Sequence, residues 1–176
     1  LWSQEWWQQW YRKLDDHVIP LLRSPADQVE VGAPPLRVAE GWLLVHSYIR
    51  GYFSSDRHFG IEAALLDPDD PRLVLGHSTE PMMQPEAEYE HKGCVEHVVF
   101  PSGAVVTGEE LVVYYGAADT HCCAARCNLK ELVAPLAQPL REVFIQSSYV
   151  RQGFRRFGGN PILKPRAELQ WEALAC

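Results

Sequence analysis

The stretch VVFPSGAVVTGEELVVYYGAADT, Val98 to Thr120, holds two apolar runs rich in Val and Tyr on either side of Val106-Thr107-Gly108-Glu109. β-Branched and aromatic residues suit a pleated, half-buried surface, and a polar step containing Gly between two such runs reads as a hairpin turn. A third run, CCAARCNL at Cys122 to Leu129, follows at once. The region is therefore expected to be an antiparallel meander.

The same pattern recurs upstream. EGWLLVHSY from Glu40 parallels EELVVYYGA from Glu109, and GIEAALLD at Gly60 to Asp67 follows the first as CCAARCNL follows the second. Between these lie proline marks: Ile19-Pro20-Leu21-Leu22-Arg23-Ser24-Pro25, Glu80-Pro81-Met82-Met83-Gln84-Pro85, Asn160-Pro161-Ile162-Leu163-Lys164-Pro165 and, more weakly, Ala134-Pro135-Leu136-Ala137-Gln138-Pro139. The strongest pair continues alike, Pro85-Glu86-Ala87-Glu88 beside Pro165-Arg166-Ala167-Glu168. A unit of roughly 55 to 80 residues with about four short strands matches one blade of a β-propeller, whose sheet cannot bury both faces without neighbours. Proline offers no N–H to a ladder, so the marks suit the links between blades. The expected fold is all-β, a partial β-propeller of about two to three blades. The opening residues differ. In WSQEWWQQWYRKLDDHVI, Trp2, Trp6 and Trp10 fall at helical spacing, widened by Trp7, Tyr11 and Leu14, so 1–18 is expected to be an amphipathic helix. Such a stripe could stack on sugar rings, but packing against a blade is the expected role.

Composition narrows the function. The chain has 176 residues, 47% hydrophobic and 22% charged, an ordinary globular balance for one domain or a piece of a larger protein. No apolar run approaches the roughly 20 residues of a membrane span, and no signal-peptide pattern opens the chain. Without an initiator Met, the sequence is expected to be a segment of something longer. Net charge of −7 opposes a phosphate backbone and argues against nucleic acid as partner. Five cysteines, two of them adjacent at Cys122-Cys123, make a poor disulfide framework, so reduced thiols and a cytoplasmic setting are expected.

Metal chemistry finds little support. His91-x-x-Cys94-x-x-His97 has ligand spacing but lacks a certain fourth ligand. His121, Cys122, Cys123 and Cys127 lie in a strand that sends neighbours to opposite faces. Asp67, Asp69 and Asp70, flanked by Pro68 and Pro71, read as a β-turn without the Gly or closing Glu of a calcium loop. No metal or cofactor is expected, and no nucleophile elbow or phosphate loop occurs. Carboxylates remain. Asp119 ends an apolar strand, where an acid is costly unless a ligand or backbone donors use it. Glu30 in VEVGAPPL and Glu62 in FGIEAALL also interrupt apolar runs, although alternation would place either on a wet face.

GWLLVHSYIR, AALLDPDDPRLVLGHSTEPMMQPEAEYE, VVFPSGAVVTGEELVVYYGAADT and NPILKPRAELQWEA together resemble glycoside hydrolase family 130, the β-mannoside phosphorylases and hydrolases. The likeness covers nearly all of 31–128. It implies a five-bladed β-propeller, with 1–150 forming later blades and 151–176 the first strand region of a following unit, because the NPIL string opens the propeller in that family. It further implies that Asp119 grips a mannosyl unit and that Tyr115, His46 and Ser47 belong to the substrate site. The family's general acid, an Asp of earlier blades, has no counterpart in this chain. Family phosphorylases hold phosphate with a Lys just before the Gly-Ala-Pro-Pro segment and a His on the next strand, where this chain has Glu30 and Ser47, with His46 one place away. Glu96-His97 also departs from the Pro-Asn usual before Val-Val-Phe-Pro.

An inverting hydrolase needs a carboxylate base opposite its acid with room for water. Glu30 is the first candidate for that base and Glu62 the second. The expected function is cleavage of β-mannosidic bonds in a β-mannoside oligosaccharide, with hydrolysis favoured. The alternatives are phosphorolysis to mannose 1-phosphate, with inorganic phosphate as co-substrate, and a non-catalytic carbohydrate-binding or scaffolding propeller. No membrane partner is expected, and a homo-oligomer stays open. The isolated chain is expected to be inactive, since the acid lies elsewhere.

Overall fold

The computed structural model describes residues 3–138 and 154–166. Two antiparallel sheets carry the fold. The first has strands β1 (Gln28–Val31), β2 (Leu36–Arg37), β3 (Trp42–Arg50), β4 (His58–Leu66) and β5 (Val74–His77), in the order β1-β3-β4-β5 with β2 also pairing to β3. The second orders β6 (Val99–Thr107), β7 (Glu110–Ala117), β8 (His121–Asn128) and β9 (Arg155–Arg156) as β6-β7-β8-β9. Among the described residues three α-helices punctuate the strands: α1 (Gln4–Arg12), α2 (Glu88–His91) and α3 (Leu129–Leu136).

The opening stretch folds as its sequence predicts. Gly108, at φ 62°, makes the β6–β7 turn in a conformation that a side chain would resist. Ala118 and Asp119, at φ 47° and 50°, form a two-residue turn between β7 and β8, closed by the Thr120 N–H donating to the Ala117 carbonyl at 3.1 Å. Both central residues are left-handed, the hairpin geometry that matches the natural twist of strands. Pro101 sits on the edge strand β6, where the register shifts between Pro101 and Gly103.

The sheets pack face to face over one core. Leu43, Val45, Ile61 and Leu65 of the first sheet meet Leu111, Val113 and Tyr115 of the second, with Met82, Met83 and α3 closing the rim. Gly32 lets the sheets approach: a Cβ there would stand 2.0 Å from the Pro101 carbonyl oxygen. A smaller cluster of Leu21, Leu44, Ala64 and Leu66 covers the far face of the first sheet.

The repeat is reproduced bond for bond. Met82 and Met83 both donate to the Ile61 carbonyl on β4, and Ile61 donates back to Met83. In the second sheet Ile162 and Leu163 donate to the Cys122 carbonyl on β8, and Cys122 donates back to Leu163. Residues 154–165 therefore run beside β8 as β5 and the Met82-Met83 segment run beside β4. The weak fourth mark fails as a junction: Ala134, Pro135 and Leu136 belong to α3, because Asn128 accepts from the Glu131 N–H at 3.1 Å and caps a helix there. A helix over 1–18 is only partly realised. α1 ends at Arg12, a 3-10 turn follows over Leu14–His17, and no residue of α1 is buried. Its rings stack on one another instead, Trp6 on Trp10 and Trp10 on His17, so the expected packing against a blade is absent among the described residues. Trp2 lies outside the described residues. Cys122, Cys123 and Cys127 are free thiols, but Cys94 is disulfide-bonded, which corrects the expectation of reduced thiols throughout.

Candidate functional site

Strand register sorts the candidate residues onto two faces. Glu30 on β1 pairs with Ser47 on β3, which pairs with Ile61 on β4, so all three share the face turned to the second sheet. Val31, His46 and Glu62 form the next row and point the other way. His46 and Ser47, adjacent in sequence, cannot serve one ligand from the same side.

Glu62 is fully buried and both of its oxygens accept from Arg23, at 2.7 Å each. Arg23 also donates to the Ser78 carbonyl at 3.2 Å and lies 3.6 Å from the centre of the Tyr48 ring. Burial acts to lower the Arg23 pKa, but the Glu62 carboxylate outweighs it and holds the guanidinium more firmly charged than usual. A carboxylate clamped in this way stabilises its cation and is poorly placed to take a proton from water. Glu30 is half-buried and carries no ion pair among the described residues. Of the two acids proposed as a base, Glu30 alone has an unclaimed carboxylate.

His46 is 1% exposed, with Nδ1 3.4 Å from the Ser47 carbonyl oxygen and Nε2 without a hydrogen-bond partner among the described residues. Burial pushes its pKa down to about 4, and the nearby Arg23 and His77 push the same way. It is a neutral imidazole at neutral pH and offers no charge to an anion. The Ser47 hydroxyl is likewise buried and unpaired among the described residues, beside Glu30. A buried polar atom left open is costly, so these two atoms mark where a ligand or water would be gained.

The second sheet places the other two candidates apart. Asp119 occupies the β7–β8 turn and is exposed, so no burial cost attaches to its charge. Its carboxylate is open to accept sugar hydroxyls. Tyr115 is buried, and its hydroxyl donates to Glu90 Oε1 at 2.8 Å. Burial and the Glu90 carboxylate raise the Tyr115 pKa far above its ordinary value. This tyrosine belongs to an internal network that sequence reasoning missed. Glu90, with no exposed surface, accepts from Arg156 at 2.7 and 2.9 Å and from the backbone N–H groups of Glu86 and Ala87. Burial opposes its charge, but these donors outweigh it and hold the carboxyl below the usual range. Asn160 completes the lock, exchanging two hydrogen bonds with the Ala124 backbone at 3.0 and 2.8 Å. The available signal was the repeated Pro-x-Ala-Glu string, Pro85 to Glu88, which ends two residues before Glu90.

The metal-like clusters resolve into local structure. Asp67 accepts from the N–H groups of Asp69 and Asp70, the expected turn. His91 and His97 share a 2.7 Å contact between their Nδ1 atoms. Among the described residues no group of three His, Cys, Asp or Glu side chains could hold a metal ion. Burial raises the Cys123 and Cys127 thiols to about 11 and about 12, which leaves both unreactive.

A model of glycoside hydrolase family 130, described as beta-1,4-mannooligosaccharide phosphorylase, matches residues 22–138. A beta-1,2-mannobiose phosphorylase of Thermoanaerobacter sp. (strain X514) is 37% identical over 94 residues, 53% of this chain and 30% of the relative. The beta-1,2-mannobiose phosphorylase of Listeria innocua serovar 6a is 36% identical over 129 residues, 71% of this chain and 35% of the relative. A solved structure of the Listeria innocua enzyme, in complex with beta-1,2-mannobiose, superimposes with a TM-score of 0.55 at 35% identity, covering 62% of this chain and 30% of that one. The chain thus spans about a third of the length of these relatives.

Proposed function

Since the chain belongs to glycoside hydrolase family 130, with two sheets that are part of its five-bladed β-propeller, we propose that the protein cleaves β-mannosidic bonds by phosphorolysis. The observation that carries this reading is the family match across 22–138, joined by relatives whose stated activity is phosphorolysis of β-mannosides. In such a reaction inorganic phosphate attacks the anomeric carbon of the terminal mannosyl unit. The glycosidic oxygen leaves with a proton from a general acid, and the products are mannose 1-phosphate and the shortened sugar. This reverses the expectation of hydrolysis, which rested on Glu30 and Ser47 standing where the family places cations.

The residues of this chain would act on the sugar. Asp119 accepts hydroxyl hydrogen bonds from the mannosyl unit, and its exposure at a rigid two-residue turn leaves it open to do so. Arg23 and Arg156 are each committed to a buried carboxylate, so neither is free to hold phosphate. One specific observation favours water as the acceptor instead: Glu30 has an unclaimed carboxylate beside the open Ser47 hydroxyl, a poor neighbour for a phosphate dianion and a fair one for water.

Incubating the full-length protein with β-1,2-mannobiose, with and without phosphate, decides between them. Phosphate-dependent release of mannose 1-phosphate is expected; phosphate-independent release of mannose would sink the phosphorolytic reading, and no cleavage would favour a binding role. Asp119→Asn keeps a residue type that tolerates left-handed backbone, so stability should hold within about 0.5 kcal/mol. Its KM for mannobiose should rise about tenfold.

A further inference from the structure

Resting on the mannoside reading, we propose that His91 and His97 form a proton-operated latch that positions Asp119 for the sugar. The contact between their Nδ1 atoms, 2.7 Å long, needs one nitrogen to carry a hydrogen and the other to offer a lone pair. One shared proton meets both needs. A further proton turns both nitrogens into donors, and the contact must open. Imidazole is the side chain whose ordinary chemistry changes its charge between about pH 5 and pH 8. His91 is half-buried and His97 exposed, so water can deliver that proton.

The latch closes the base of a loop. His91 ends α2 and His97 stands just before β6, where the Val98 N–H donates to the Glu90 carbonyl at 3.1 Å. His97 is left-handed at φ 60°, a conformation that a residue with a Cβ keeps only where contacts favour it. Between these ends the loop lies on the turn that carries Asp119. The Val95 N–H donates to the Ala118 carbonyl at 3.3 Å, the Cys94 N–H to the Thr120 hydroxyl at 3.0 Å, and the Ala118 N–H to the Val98 carbonyl at 2.9 Å. The approach is close, since a Cβ on Gly93 would stand 2.2 Å from the Ala118 carbonyl oxygen. The residues before and after Asp119 are thus both held by the loop that the two histidines close. Other charged groups gather here. Glu88 and Lys92 pair at 2.9 Å, Glu90 is bound to Arg156 and Tyr115, and Glu96 acts on Lys92. From the turn and β8 come Asp119 and His121, the latter with its ring 6.3 Å from that of Tyr89. Of these groups His121 is the further imidazole, so its titration must be told apart from that of the pair.

The test is titration calorimetry of the full-length protein with β-1,2-mannobiose, in phosphate-free buffer at about pH 7.5 and about pH 5.5. The Kd is expected to rise about fivefold at the lower pH, the worth of one hydrogen bond. His97→Asn puts an amide nitrogen where the ring Nδ1 stood and tolerates the left-handed backbone. It can donate to a neutral His91 or turn its oxygen to a charged one, so Kd should stay at the tighter value at both pH values. His91→Ala removes the contact, and Kd should stay at the weaker value at both. Amide exchange gives a reading that needs no sugar. Relative to the unfolded rate at each pH, protection at Cys94 and Val95 should fall about fivefold on acidification in the unaltered protein and in neither variant. A level Kd in the unaltered protein would overturn the proposal. A slope that persists in both variants would also overturn it, by assigning the effect to another group such as His121. Absence of mannobiose binding at either pH would count against the mannoside reading, and protection at Val95 would then decide the latch by itself.

Discussion

His46 shows how far one residue can depart from its ordinary chemistry. It lies in the middle of β3 at 1% exposure, with Arg23 and His77 near it and Nε2 unpaired among the described residues. Its folded pKa falls to about 4 from an ordinary 6.5, so the unfolded chain binds the extra proton in between. Stability is fully present above the unfolded value and is lost as pH falls through that window. Linkage puts the loss at about 2 kcal/mol between pH 7 and pH 5. Urea unfolding at the two values should show this slope, and His46→Leu should flatten it; a parent chain equally stable at both would count against the buried neutral imidazole. Glu90 acts at lower pH. Its carboxyl is held below the usual range, so the stability it contributes is present above that range and fades only in stronger acid. Neither behaviour is visible in the string VHSY or EYEH, because burial and facing charge are set by chain segments far away in sequence.

At the scale of elements, the two strongest proline marks, at Pro81 and Pro161, prove to be a structural unit. Pairing a Pro-x-x segment with the third strand of a blade satisfies the backbone of Ile61 in one sheet and of Cys122 in the other. The second copy needs more help, since β9 returns only after α3 and the intervening chain. Arg156 reaching Glu90 and Asn160 bridging Ala124 supply it. Asn160→Ala removes both side-chain bonds to β8, at about 1 kcal/mol each. Hydrogen exchange at the Cys122 and Ala124 amides should then quicken at least about tenfold, with Ile61 in the first sheet unchanged. Unaltered exchange at Cys122 would mean that the remaining bonds, from the backbone and from Arg156, hold the segment without Asn160. The repetition was legible because the same backbone bonds demand the same residue types. The polar lock was not, because Glu90, Tyr115, Arg156 and Asn160 become neighbours only when the second sheet forms.

For the whole molecule, the two sheets share one core, so they should unfold together. Leu111 is fully buried between them, and Leu111→Ala should cost about 3 kcal/mol through lost contacts and the cavity left behind. Hydrogen exchange should report the same loss in β3 as in β7; a loss confined to β7 would show that each sheet is stable alone. The sequence by itself determined the strands, the hairpin turns, the blade repeat and the family, since alternation, Gly and Pro positions and motif order are local properties of the chain. It also carried the acids Glu30 and Asp119 as candidates. Tertiary structure alone decided which candidates were free to act. Glu62 is taken by Arg23 and Tyr115 by Glu90, whereas Glu30 and Asp119 keep open carboxylates. It also decided that Trp6, Trp7 and Trp10 of α1 stay out of the core. The reason is physical: a residue type states what a side chain can do, but the availability of a charge or a ring depends on which distant groups the fold brings against it.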